Sequence, residues 1–171
     1  VQRNVVMSSD QERIYTDLKK YALAHIEDAE FMTATNVMTQ LLRMQQVLSG
    51  HTKSDSGEII EVKDNRLDEL MGCLEESDGK VIIWSRFRYD IKRITAALIK
   101  KYGPGSTVTY FGDTSDDDRV AAIERFQNGD ARFFIGNPQT GGYGITLTAA
   151  TTVIYYANSF DLAVRMQSED R

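Results

Sequence analysis

KVIIWSRFRYDIKRITAALIKKYGPGSTVTYFGDTSDDDRVAAIERFQNGDARFFIGNPQTGGYGITLTAATTVIYYA, residues 80–157, is the stretch that decides the fold. Four short apolar cores recur in it: VIIW at 81–84, VTYF at 108–111, FFI at 133–135 and VIYY at 153–156. Each is nearly continuous in apolar residues, the pattern of a strand covered on both faces. The segments between them carry helical periodicity, which predicts helices over Tyr89–Lys101 and Ser115–Asn128. Strands are expected at Lys80–Trp84, Thr107–Phe111, Arg132–Ile135 and Thr152–Tyr156, with a Gly-rich turn before the last. Strands that alternate with helices imply a parallel sheet joined by right-handed crossovers. A helix over Asn65–Glu76 leads into this run and another from Asp161 follows it.

Before residue 64 the rhythm differs. Ser8-Ser9-Asp10 offers helix caps, and Ile14, Leu18, Tyr21 and Ala22 follow at helical spacing. A second amphipathic helix is expected from near Asn36 to Leu48, with Gly50 as its stop. HTKSDSGE, 51–58, reads as a loop, and Ile59-Ile60 as a short strand. The expected fold class is therefore α/β: an open parallel sheet with flanking helices and a helical N-terminal extension. The extension and linker would occupy 1–63 and the α/β unit 64–171.

Composition bounds the function. The hydrophobic and charged contents, 42% and 26%, are those of a globular chain. No apolar run approaches the roughly 18–20 residues that span a bilayer, so no membrane partner is expected. The start, VQRNVVMSSD, lacks the order of a secretory leader. A single cysteine, Cys73, excludes an internal disulfide framework and a Cys-rich metal site, so a reducing, cytoplasmic setting is the expectation. His25 and His51 have no companions at ligand spacing, and no metal site is expected.

The net charge of -5 is unevenly spread. Between Lys80 and Lys101 seven basic residues face one acid, Asp90, so that window carries +6 and the remainder -11. A basic face on an acidic body can meet phosphate, or it can be a solvated helix face.

In open α/β sheets ligands gather at the carboxyl ends of strands, which directs attention to Ser85–Arg88, Gly112–Ser115, Gly136–Gly144 and Ala157–Asp161. The run GNPQTGGYGITLTAA, 136–150, has glycines that allow close backbone approach, and ITLTAA can open a helix whose free N–H groups favour phosphate. No Gly-Lys-Ser/Thr follows, so it is not a Walker A loop, and it lacks the G-x-G-x-x-G order. A tight turn without a ligand fits these residues equally well. In QSEDR, 167–171, Gln167 and Arg171 are four apart and share a helix face, which in isolation describes an ordinary exposed helix end.

Taken together, these pieces resemble the C-terminal RecA-like lobe of superfamily-two DNA helicases and translocases of the Swi/Snf type. KVIIWSRF, 80–87, is similar to motif IV of that family. Gly112-Asp113-Thr114, then Arg119 and Phe126 on the following helix, then Gly141–Ala150 as motif V and Gln167–Arg171 as the opening of motif VI, follow the family's order and spacing. The resemblance covers 64–171 well and NVMTQLLRMQQVLSG, 36–50, more loosely. Ala157-Asn158, Ser159 and Phe160 are similar to bacteriophage members, which implies a bacterial or phage-infected cell.

That resemblance implies a P-loop NTPase-like fold without its own P-loop. ATP with Mg would sit between this lobe and an N-terminal RecA-like lobe supplying the Walker A lysine and Asp-Glu box. Leu67-Asp68-Glu69-Leu70-Met71 has an Asp-Glu pair, but on a helical pattern, and is not that box. Arg171 would be the first of two motif VI arginines and Gln167 its companion, with Gly142, Gly144, Gln167 and Arg171 facing nucleotide. Ser85, Arg86, Arg88, Gly112, Thr114, Gly141, Gly142 and Thr146 would face the backbone of DNA, in duplex form. The isolated chain is expected not to hydrolyse ATP. A phosphate-ligand-binding or protein-interaction module derived from a helicase is the competing expectation.

Overall fold

A computed structural model describes residues 1–27, 34–54, 56–141, 145–158, 166 and 168, with backbone alone at 25–27, 34–36 and 141. In chain order the elements are α1 (Ser9–Glu27), α2 (Ala34–Leu48), β1 (His51–Lys53), β2 (Ile59–Glu61), α3 (Arg66–Glu75), β3 (Lys80–Ser85), α4 (Arg88–Tyr102), β4 (Thr107–Tyr110), α5 (Asp116–Gln127), β5 (Phe133–Gly136), the short α6 (Pro138–Gly141) and β6 (Ala150–Ala157). They fall into two compact units, Val1–Glu69 and Leu70–Arg171, and the division lies inside α3.

In the first unit Ser8 and Gln11 cap α1 reciprocally. Gln11 N donates to Ser8 Oγ at 3.2 Å and Ser8 N donates to Gln11 Oε1 at 3.0 Å, which satisfies two N–H groups the helix start leaves open. The same Gln11, 3% exposed, donates to Val47 O at 2.9 Å and so ties α1 to the end of α2. β1 and β2 pair antiparallel, with His51 opposite Glu61 and Lys53 opposite Ile59. The polar run 51–58 is thus a strand followed by a turn. His51, Thr52 and Lys53 are polar and carry no alternation signal; the ladder to Ile59–Glu61 makes them a strand.

The second unit is a four-stranded sheet in the order β4-β5-β3-β6, parallel throughout. Val81, Ile82, Ile83 and Trp84 are all fully buried, and so are Phe133, Phe134 and Ile135, which explains the unbroken apolar cores of the two central strands. Alternate residues serve opposite faces. Ile82, Trp84, Val108, Tyr110 and Phe134 pack with Ala122 and Phe126 of α5. Phe134 meets three rings, Trp84 at 5.9 Å, Tyr110 at 5.7 Å and Phe126 at 5.4 Å between centroids. On the other face Tyr102 of α4 lies 5.0 Å from Phe133. Ile91, Ile94 and Leu98 make the fully buried stripe of α4; each such burial stabilises by roughly 1.5–3 kcal/mol.

The two crossover helices have identifiable ends. Ser115 Oγ accepts from Asp118 N at 3.2 Å, and Asp116, Asp117 and Asp118 sit where the macrodipole favours acids. Lys100 and Lys101 occupy the last turn of α4, where it favours bases. Lys101 also donates to Glu75 at the end of α3, and that hydrogen bond is the main reason its pKa lies above the ordinary lysine value.

Residues 145–149, expected to open a helix, are not helical. Ile145 and Leu147 are buried in the core beside Phe126 while Thr146 is exposed, and Thr148-Ala149 form a turn, closed by Ala150 N donating to the Leu147 carbonyl at 3.2 Å, that leads into β6. Burying Ile145 and Leu147 two residues apart demands an extended backbone, and that requirement overrides local helix propensity. The helical turn lies instead before the glycines, at Pro138–Gly141.

Candidate strand-end phosphate site

All four parallel strands end on the same side of the sheet, β6 at Ala157 opposite Ser85, and the other three ends form the cluster. β3 ends at Ser85, β4 at Tyr110 and β5 at Gly136, and their registers align Trp84 and Tyr110 with Gly136. A Cβ on Gly136 would lie 2.7 Å from Trp84 Cζ3 and 2.8 Å from the Tyr110 carbonyl oxygen, so only glycine fits there.

The turn after β3 carries the first group of expected DNA contacts. Ser85 is fully buried, and its hydroxyl donates to Asp90 Oδ2 at 2.8 Å. Asp90, also fully buried, lies in the first turn of α4. The Ser85 side chain therefore points into the fold and braces the start of α4. Arg86 is half-buried; its backbone N–H donates to the Ala157 carbonyl at 3.1 Å, and its guanidinium lies 5.9 Å from the Phe87 ring. The Arg88 side chain is 64% exposed.

The turn after β4 carries the second group. Thr114 Oγ1 accepts from Phe111 N at 3.2 Å and Thr114 N donates to the Phe111 carbonyl at 3.0 Å, which closes the turn around Gly112 and Asp113. Gly112 and Asp113 stand exposed at its tip. The Asp113 carboxylate reaches Arg88 Nη1 at 2.6 Å and Lys92 Nζ at 3.5 Å. A Cβ on Gly112 would sit 2.8 Å from Arg88 Nη2, so the guanidinium lies against the glycine backbone. Arg88 and Gly112 thus come together, although the sequence separates them by a helix and a strand. Behind the turn, the Arg119 guanidinium stands 5.5 Å from the Tyr110 ring centroid and bonds Asp116 at 3.2 Å.

Asn137 joins the three strand ends. Its Nδ2 donates to the Arg86 carbonyl at 3.0 Å, its backbone N–H donates to the Tyr110 carbonyl at 3.1 Å, and its Oδ1 accepts from Gln139 N at 2.9 Å at the start of α6. Asn137 and Asp90 were not among the expected site residues. The Asn-Pro pair at 137–138, a turn-initiating signal, pointed to one; the lone acid in a basic window pointed to the other.

Gly141 closes α6. Gly142 and Gly144 lie outside the described residues, as do Gln167 and Arg171. Ser168, next to Gln167, is buried and its hydroxyl lies 2.6 Å from the Tyr155 hydroxyl of β6. Thr146 is not brought to the strand-end cluster. Gln127, the last residue of α5, donates to the Thr146 carbonyl at 3.1 Å and accepts from Ala149 N at 2.8 Å. The first turn of α5 follows Thr114, so Thr146 lies a helix length, about 17 Å, from that turn. Among the described residues no group of three or more His, Cys, Asp or Glu could hold a metal ion.

A family model described as the helicase conserved C-terminal domain matches residues 62–171. Among curated relatives, the putative ATP-dependent helicase/translocase YwqA of Bacillus subtilis is 26% identical over 175 residues, covering 98% of this chain and 19% of that protein. The chromatin-remodeling ATPase INO80 of Kluyveromyces lactis is 31% identical over 110 residues, covering 64% of this chain and 7% of that protein. The chain thus spans less than a fifth of the length of these relatives. Among solved structures, the Sulfolobus solfataricus SWI2/SNF2 ATPase core domain superposes with a TM-score of 0.77 at 21% identity, covering 96% of this chain and 35% of that one. The same ATPase core in complex with dsDNA gives 0.72 at 21% identity, covering 89% and 33%. The parallel sheet with flanking helices is the RecA-like fold of helicase C-terminal domains.

Proposed function

The chain belongs to the helicase conserved C-terminal domain family, and from that premise we propose that it is the second motor lobe of a Swi/Snf-type, ATP-dependent DNA translocase. The observation that carries the proposal is the strand-end cluster, where Arg88 and Lys92 stand at the exposed Gly112-Asp113 tip of the turn after β4 and Asn137 ties the Arg86 carbonyl to the end of β4. A motor that moves irrespective of sequence holds the sugar-phosphate backbone, because base edges would tie it to particular sites. Guanidinium groups and exposed backbone N–H groups at strand ends suit that task, and the attraction falls steeply as salt rises. Ser85 serves by bracing α4, which carries Arg88 and Lys92, and not by presenting its hydroxyl to DNA.

ATP is the substrate of the proposed motor. The sequence has no Gly-Lys-Ser/Thr loop, so the phosphates are held chiefly by a partner lobe of the same protein. In this reading the lobe contributes Arg171 and Gln167 to the nucleotide, together with Gly142 and Gly144. An arginine stays charged and offers several donors to the charge that develops on the transferring phosphoryl group.

The test is ATP turnover by the full-length protein with and without duplex DNA. Turnover should be stimulated by DNA and fall about 10³-fold or more in Arg171→Ala, the scale of a lost arginine finger. Turnover indifferent to DNA, or an Arg171→Ala protein as active as its parent, sinks the reading.

A further inference from the structure

We infer that Asp113 occupies the place of a DNA backbone phosphate while the lobe is empty, and that DNA binds by displacing it. The inference rests on the strand-end cluster being the DNA face, and it identifies what holds that face shut.

The geometry is that of an anion between two cations. Arg88 and Lys92 are four residues apart on one face of α4. Asp113 meets both at once, Oδ1 at 2.6 Å from Arg88 Nη1 and Oδ2 at 3.5 Å from Lys92 Nζ. Gly112 lies beside the pair: a Cβ there would sit 2.8 Å from Arg88 Nη2, the free end of the side chain. The turn that supplies the competing carboxylate therefore also receives the cation.

The arrangement is open to exchange. The side chains of Arg88 and Lys92 are 64% and 67% exposed, and that of Asp113 is 41% exposed. Ion pairs exposed to this degree are held weakly, whereas a phosphate diester offers a full charge to both cations through several oxygens. Asp116, the neighbouring acid, is engaged by Arg119 instead, so Asp113 is the carboxylate set against the α4 cations. The physical consequence is a threshold. Cations already paired release fewer counterions when phosphate arrives, so binding is weaker and less salt-dependent than with the same cations bare.

The test compares duplex DNA binding by the full-length protein, its Asp113→Asn variant, the Arg88→Gln/Lys92→Gln variant, and all three changes together, across a salt series. Asp113→Asn should bind about threefold tighter at low salt and steepen the slope of log K against log salt by up to about 1. Both effects should vanish in the Arg88→Gln/Lys92→Gln background, and Asp117→Asn should show neither. If Asp113→Asn leaves binding unchanged or weakens it while Arg88→Gln/Lys92→Gln weakens it, the displacement is wrong and the DNA face stands. Equal tightening by Asp117→Asn, or tightening that survives without Arg88 and Lys92, reduces the effect to overall charge and overturns the inference. If Arg88→Gln/Lys92→Gln binds as tightly as the parent, the DNA face falls and the inference with it.

Discussion

The ends of β3 and β4 lie on the same edge of one sheet, yet they are built in opposite senses. At β3, Ser85 and Asp90 are both fully buried and bonded to each other, so the polar atoms that look available in the sequence are spent inside. At β4, Gly112 and Asp113 are exposed and the charges they meet, Arg88 and Lys92, are exposed too. One end is a brace and the other a surface. A strand-end polar residue thus divides by where its partner sits: a partner in the first turn of the next helix pulls it inward, and a partner across the sheet edge leaves it in solvent.

The strongest way to break this contrast is to deform both ends at once. Gly136 lies between them in register, and a methyl group there would meet Trp84 on one side and the Tyr110 carbonyl on the other. The Trp84 ring could shift only within a packed aromatic cluster and the Tyr110 carbonyl belongs to the strand backbone, so Gly136→Ala should destabilise the second unit by about 3 kcal/mol. Urea unfolding followed by the fluorescence of Trp84, the chain's one tryptophan, measures it. A loss within about 0.5 kcal/mol would show that the strand ends are free to part.

The next test separates the two ends. Ser85→Ala removes the donor to Asp90 and leaves a buried carboxyl oxygen without that bond, at a cost of about 2 kcal/mol in the same unfolding measurement. If Ser85→Ala were neutral for stability but weakened DNA binding, Ser85 would belong with the exposed end and the contrast would collapse.

Much of this architecture was legible in the sequence, for a physical reason. A strand buried on both faces must be apolar throughout, so VIIW and FFI announced the two central strands without their neighbours. Helices α4 and α5 announced themselves through periodicity, and Ser115 with three acids marked the start of α5. What stayed hidden depends on contacts between distant residues. His51–Lys53 is a strand because Ile59–Glu61 pairs with it. Gln127 supports 146–149, and Asn137 reaches back to Arg86, through bonds that no local pattern encodes. The site was legible in its cations and glycines, and illegible in direction: nothing in WSRFRYD tells that Ser85 turns inward while Arg88 turns out.

The smallest expected effect is the most discriminating. Asp113→Asn removes two ion-pair contacts from the exposed end, a change that looks larger on paper than the loss of one hydroxyl at Ser85. Exposed ion pairs gain little, because water already solvates both charges and the long side chains lose freedom in pairing. The Ser85–Asp90 bond has no such substitute, since no water reaches either partner in its buried position. Asp113→Asn should therefore change the unfolding free energy by no more than about 0.5 kcal/mol, a quarter or less of the Ser85→Ala cost. Urea curves for the two variants, recorded side by side at low and high salt, decide it. A loss as large as that of Ser85→Ala would mean that the Asp113 contacts hold the fold together and that β4 ends, like β3, in a brace.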